Sequence, residues 1–131
     1  MSPELLAAGR RRYVSLTTFR RTGAGVATAV WVAPSADSLV VVTGAGTGKA
    51  KRLRRDPRVE LRECTVRGRV LPGAPVALGT AELVTDPEEQ HRLLAGHRRK
   101  YGLQFRAYQA VERLISRGAG PGDVVIRITD A

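Results

Sequence analysis

The residues of this chain best suited to chemistry are cationic and crowded. Thr43 to Val59 reads TGAGTGKAKRLRRDPRV, a glycine-rich turn that runs into a short basic helix and stops at Asp56-Pro57. Lys49, Lys51, Arg52, Arg54 and Arg55 all fall within it. Ammonium and guanidinium groups at a helix start bind anions, because charge-assisted hydrogen bonds add to the free backbone N–H groups there. Three readings are open for the segment: a solvated surface helix, a nucleic-acid contact, or a phosphate clamp. A nucleic-acid contact asks for exposed aromatics, a helix-turn-helix or a zinc knuckle, and the chain offers none of these. Position favours the clamp, since the run directly follows a hydrophobic strand able to floor a flat pocket.

Other chemistries fail on spacing. A P-loop needs Gly at 43 and Ser or Thr at 50, where this chain has Thr43 and Ala50. Gly44-x-Gly46-x-Gly48 also misses the dinucleotide fingerprint. His91 and His97 lie six apart on an expected helix, on opposing faces, and read as solvent-facing residues rather than metal ligands. Cys64 reads as a small core residue in a strand, and a single cysteine cannot close an internal disulfide. Trp31 reads as a packing residue or as an aromatic beside a cofactor plane. Asp123 and Asp130 read as surface caps or bridges. No triad or carboxylate pair is visible, so no catalytic side chain is assigned and a cofactor is expected to carry any reaction.

These residues need a scaffold, and hydrophobic patterning supplies one. Residues 3–12 open with one or two turns of helix. Tyr13–Phe19 is a strand, Arg20–Gly25 a turn, and Val26–Ala33 a strand with no polar face, expected to be covered on both sides. Leu39–Thr43 is a third, β-branched strand, giving an antiparallel meander. Lys49–Arg55 is a helix anchored by Ala50 and Leu53, ended by the proline after Asp56. Val59–Val66 is a half-exposed strand and Val76–Val84 a fifth. Asp86-Pro87-Glu88-Glu89 is a helix start, with a capping Asp and Pro at the first position, and that helix is expected to reach Tyr101. A second helix is expected over Phe105–Arg117, then a final strand over Asp123–Thr129. Six strands with peripheral helices predict a mainly β (α+β) fold, a six-stranded antiparallel barrel closed to avoid bare edges.

The chain of 131 residues is expected to form a single domain, and at 43% hydrophobic it can bury a real core, though one small enough to invite dimerisation. The formal charge of +10 asks for anionic partners, though much of it is arginine scattered along the chain. No stretch has the length of a membrane span, and MSPELLAAGRRRYV has its apolar and basic parts in the wrong order for a secretory signal. A cytoplasmic location is expected, with no membrane and no nucleic-acid partner.

LTTFRRTG (16–23), VATAVWV (26–32), LVVVTGAGTGK (39–49), KRLRRDPRV (51–59) and VALGTAELV (76–84) together resemble the split-barrel proteins similar to pyridoxamine 5′-phosphate oxidase. Within that family the chain resembles the branch of coenzyme F420-dependent oxidoreductases common in actinobacteria. The resemblance implies a flavin-reductase-like split β-barrel and a homodimer with the cofactor in a groove at its interface. It implies that Thr28, Ala29, Val30 and Trp31 run along the ring system, that Thr43 and Gly44 close the pocket, and that Lys49 and Arg52 hold the phosphate with Lys51 nearby. Arg54 and Arg55 would face solvent or the acidic oligoglutamate tail of F420. The implied reaction is hydride transfer between the deazaflavin and a small conjugated or hydrophobic substrate. The same groove implies two alternatives, an FMN-binding oxidoreductase or a carrier of a flavin or tetrapyrrole without turnover. Many relatives carry proline where this chain has Ala29.

Overall fold

The computed structural model describes residues 1–44, 47–103 and 123–131. Six strands close into an antiparallel barrel in the order β1-β2-β3-β6-β5-β4. They are β1 (Tyr13–Phe19), β2 (Gly25–Ser35), β3 (Ser38–Gly44), β4 (Arg58–Glu63), β5 (Ala77–Val84) and β6 (Asp123–Asp130). Among the described residues four helices accompany them: α1 (Pro3–Gly9), α2 (Gly48–Arg55), α3 (Pro87–Leu93) and α4 (Ala95–Tyr101). The expected helix over Phe105–Arg117 lies outside the described residues.

Alternating side chains divide the protein into two cores. The barrel interior holds Val14, Leu16, Val32, Val41, Leu61 and Ile126, with Leu5 and Ala8 of α1 and Leu53 of α2 joined to the same cluster. Outside the barrel, Ala33 and Val40 and Val125 pack against Leu93, Leu94 and Tyr101. Fully burying a side chain of Val or Leu size contributes roughly 1.5–3 kcal/mol, so the interior cluster dominates the stability. The helix starts obey local rules. The Ser2, Thr47 and Asp86 side chains each accept a hydrogen bond from a backbone N–H of the first turn, at Leu5, Ala50 and Glu89.

Four sequence expectations need correction. The helix expected to run unbroken from Asp86 to Tyr101 breaks at Leu94 into α3 and α4. The break lets α4 lie directly on β2: a Cβ at Gly96 would meet the Pro34 carbonyl oxygen at 2.5 Å. Strand β2 is not covered on both sides, because Gly25, Ala27 and Ala29 are exposed in the single chain. The fourth strand ends at Glu63, and Cys64 sits just past it in an isolated bridge to Val70, buried as expected. His97 does not face solvent; it is fully buried, while His91 is exposed.

The opening in the barrel follows from the register. β2 pairs with β1 over Gly25–Trp31 and with β3 only over Val32–Ser35. β3 continues through Val42, Thr43 and Gly44 paired to β6. The two strands therefore part beyond Val32 and Val41, leaving one edge of β2 without a strand neighbour over its first half.

Candidate functional site

The gap between β2 and β3 holds a recess of about 230 Å³ lined by Ala29, Val30, Trp31, Val42, Thr43, Lys49 and His97. Five of the nine residues expected from the sequence thus meet in one place: Ala29, Val30, Trp31, Thr43 and Lys49. Gly44 lies at the end of β3 opposite Asp123. Thr28 is opposite Leu16 in the β1–β2 register. Its hydroxyl is buried with no partner among the described residues. Lys51 is exposed on α2 away from the recess wall. Val42 and His97 were missed. His97 had a readable signal, because it lies four residues before Tyr101 and the two share one face of α4.

The cationic end is built by β3 and α2 together. The Thr43 and Thr47 hydroxyls lie 3.1 Å apart, which ties the end of β3 to the cap of α2. Lys49 follows in the first turn, half-buried at the recess. Burial holds its ammonium below the ordinary lysine range, and the Arg52 guanidinium pushes it further down. Arg52 folds back along the helix. Its Nε donates to the Thr18 hydroxyl at 2.6 Å, and a Cβ at Gly48 would meet its Nη1 at 2.6 Å. The guanidinium therefore covers the first turn of α2. Among the described residues no carboxylate forms an ion pair with Lys49, Lys51 or Arg52. Two adjacent cations, partly desolvated and without a counter-ion, make a site that an anion would relieve. Arg54 and Arg55 are exposed beyond it, with Arg55 donating to the Phe19 carbonyl at 2.7 Å.

The apolar end is held by α4. The Trp31 and Tyr101 rings stack at 5.0 Å between centroids, 18° apart. His97 Nε2 lies 3.1 Å from the Trp31 carbonyl oxygen. The Tyr101 hydroxyl is within 2.6 Å of the Val32 carbonyl and accepts from the Val32 N–H at 3.1 Å. Lys100 donates to the carbonyls of Val32 at 2.7 Å and Gly9 at 2.9 Å. Alternate residues of a strand present their polar groups to the same edge. Since the Trp31 carbonyl is taken by His97 rather than by β1, the main-chain groups of Ala29 face the same open edge.

The arrangement offers a flat apolar wall, an unpaired strand edge and a cationic end, with no nucleophile–base pair. No group of three or more His, Cys, Asp or Glu able to hold a metal occurs among the described residues. No helix among them is long and apolar enough to cross a membrane. A second recess, of about 200 Å³, lies between α1 and the loop before β5 and contains none of the basic run.

The family model described as pyridoxamine 5′-phosphate oxidase matches residues 1–127. No curated protein matches the chain. Among solved structures, the conserved hypothetical protein Rv2991 from Mycobacterium tuberculosis is 26% identical with a TM-score of 0.68, over 99% of this chain and 81% of that one. HutZ, a heme storage protein from Vibrio cholerae, is 15% identical with a TM-score of 0.66, over 99% of this chain and 89% of its own. An FAD-binding protein from Mesorhizobium loti is 19% identical with a TM-score of 0.58, over 100% of this chain and 91% of its own. For the last two, the likeness is one of fold.

Proposed function

Because this chain belongs to the pyridoxamine 5′-phosphate oxidase family, we propose that its recess is half of a cofactor groove completed by a second copy, and that the protein is an F420-dependent oxidoreductase. The family includes oxidoreductases, and the fold is a closed six-stranded split barrel. The observation that carries the reading is the open β2 edge ending at Lys49 and Arg52. A planar ring with polar edges suits the first, and a phosphate suits the second.

The residues fit such a group. The recess of about 230 Å³ falls below the roughly 300–1,000 Å³ of a complete small-molecule pocket. It accommodates one face of a ring and leaves the other for the partner. Exposed Gly25, Ala27 and Ala29 give a small-residue face on which a second copy can approach closely. In this reading Ala29, Val30 and Trp31 hold the ring, with Thr28 behind them. Thr43 and Gly44 close the pocket, and Lys49 and Arg52 bind the phosphate with Lys51 nearby. F420 over FMN follows from the charge beyond the clamp: Arg54 and Arg55 are exposed next to it and suit an acidic tail.

When bound, F420 supplies a hydride for a small conjugated or hydrophobic acceptor. The protein's work is to orient the ring against the β2 edge, fix the phosphate and exclude water from the apolar wall. No side-chain nucleophile is required.

The test is a fluorescence titration of purified protein with F420 and with FMN, followed by hydride-transfer assays on enones, quinones and bilins. Preferential FMN binding replaces F420 with the flavin alternative, which the FAD-binding protein of the same fold favours. Tight binding without turnover moves the protein to the carrier reading, which the heme storage protein of the same fold favours.

A further inference from the structure

Two runs of cations in the sequence are not used by the groove, Arg10-Arg11-Arg12 and Arg98-Arg99-Lys100. Far apart in the chain, they meet in the fold. Lys100 donates to the carbonyls of Gly9 at 2.9 Å and Val32 at 2.7 Å, and also to that of Arg11. One ammonium therefore joins the last turn of α4 to β2 and to the end of α1. Between the runs lies a recess of about 370 Å³ lined by Gly9, Arg10, Pro34, Gly96, Arg99 and Lys100. It shares no lining residue with the recess at Trp31. Neither of its glycines has room for a side chain: a Cβ at Gly9 would meet Leu39 Cδ2 at 2.7 Å, and one at Gly96 the Pro34 carbonyl oxygen at 2.5 Å. This close packing fixes the backbone that carries both arginines before any ligand arrives.

The cations at this recess lack an anion. Arg10 and Arg99 are exposed, and among the described residues neither of them, nor Lys100, forms an ion pair. The other cations of the two runs are engaged: Arg11 pairs with Glu63, Arg12 lies over the Tyr101 ring, and Arg98 donates to the His91 carbonyl. Burial, with the Arg12 charge beside it, lowers the Lys100 pKa to about 8. An anion in the recess offsets both causes. Guanidinium groups suit phosphate, because their planar fork of N–H donors binds two oxygens at once.

We propose that this recess is a second anion site, which takes a phosphate group on Arg10 and Arg99 while Lys100 fixes the backbone that presents them and adds its charge. The site is independent of the cofactor reading, since it uses none of the residues assigned to the groove. A free phosphorylated molecule and a lipid headgroup offer the same chemistry, and the experiment separates them.

The probe is inorganic pyrophosphate, titrated calorimetrically into the full chain at constant ionic strength, so that the screening of exposed charges does not change. Binding is expected in the wild type and also in Lys49→Ala, which removes a cation of the groove. In Arg10→Gln/Arg99→Gln, affinity is expected to fall by about tenfold, each exposed charged contact being worth up to about fivefold. Arg20→Gln/Arg21→Gln removes the same charge from the exposed turn before β2 and is expected to bind like the wild type. Should the double variant at 10 and 99 fail to fold, each single substitution is expected to lose about threefold. In parallel, sedimentation with phosphatidylcholine vesicles, with and without phosphatidylglycerol, reads the lipid source. Pyrophosphate binding without vesicle binding assigns the site to a free phosphorylated molecule. Binding to phosphatidylglycerol vesicles that Arg10→Gln/Arg99→Gln loses assigns it to a headgroup. No binding of either probe, binding undiminished in Arg10→Gln/Arg99→Gln, loss of it in Lys49→Ala, or an equal loss in Arg20→Gln/Arg21→Gln overturns the proposal.

Discussion

Arg52 donates from Nε to the Thr18 hydroxyl over 2.6 Å, so a residue of the basic helix is fastened to the buried end of β1. The charge is aimed rather than loose, and the same side chain both joins α2 to the barrel and supplies a cation at the first turn. Thr18→Val is expected to lower stability by about 1–3 kcal/mol, because the guanidinium loses its acceptor, and to weaken anionic cofactor binding. Arg52→Ala is expected to do both. Lys49→Ala is expected to lose affinity with little change in stability. Arg55→Ala is expected to lose least affinity, since its bond to the Phe19 carbonyl is exposed. Thermal denaturation with fluorescence titration checks the set. Equal affinity losses at 49, 52 and 55 would mean a diffuse field instead of a clamp.

Lys49 yields a prediction with a sign. Its ammonium is held below the ordinary lysine range by burial first and by Arg52 second. An anion bound beside it opposes both causes and raises its pKa, so at alkaline pH binding takes up protons. Calorimetric titration of an anionic cofactor at about pH 9, below the ordinary lysine value, in two buffers of different ionisation enthalpy should reveal that uptake. Affinity should fall as pH rises. Lys49→Met should abolish the uptake; uptake unchanged in that variant would place the proton elsewhere.

Much of this was legible in the chain. β1 matches its expected bounds, and Asp56-Pro57 stops α2 where proline geometry requires. Ala50 and Leu53 anchor that helix as their spacing indicates. The basic run also reaches a recess floored by the expected strand. What stayed hidden depends on tertiary contact. The break at Leu94 answers to α4 lying on Pro34, which no local propensity encodes. His97 looked polar and therefore exposed, yet its Nε2 meets the Trp31 carbonyl at 3.1 Å, an acceptor that makes its burial tolerable. The strand 26–33 looks uniformly apolar although small residues of its first half are exposed, and apolarity alone does not distinguish a covered face from an open one.

Gly96 measures how closely α4 must sit. A Cβ there would come within 2.5 Å of the Pro34 carbonyl oxygen and 3.5 Å of the Ala33 Cβ. The obstacle is mostly backbone and cannot swing aside. Gly96→Ala is expected to push α4 off β2 and cost about 1–3 kcal/mol by overpacking, despite alanine's better helix propensity. Because His97 and Tyr101 move with the helix, Trp31 emission should shift at neutral pH. An alanine variant as stable as the wild type, with unchanged emission, would show that α4 has slack.

Lys100 gives the clearest alkaline signature. Its ammonium donates to the carbonyls of Gly9, Arg11 and Val32, joining the end of α1 to β2. Burial, aided by the nearby Arg12 charge, lowers its pKa to about 8. In the unfolded chain the same group stays protonated to about pH 10.4. Between those values the unfolded chain binds the extra proton, so this group makes stability rise with pH. Below about 8 both states are protonated and the contribution is flat. Lys100→Met removes the titration and leaves three carbonyls short of a donor, so it should be less stable than the wild type at neutral pH by about 1–3 kcal/mol. Denaturant unfolding at several pH values should then show the wild-type advantage widening from about pH 8 to about pH 10, where this lysine titrates. An advantage that narrows over that range would mean that the three carbonyls outweigh burial and hold the ammonium charged.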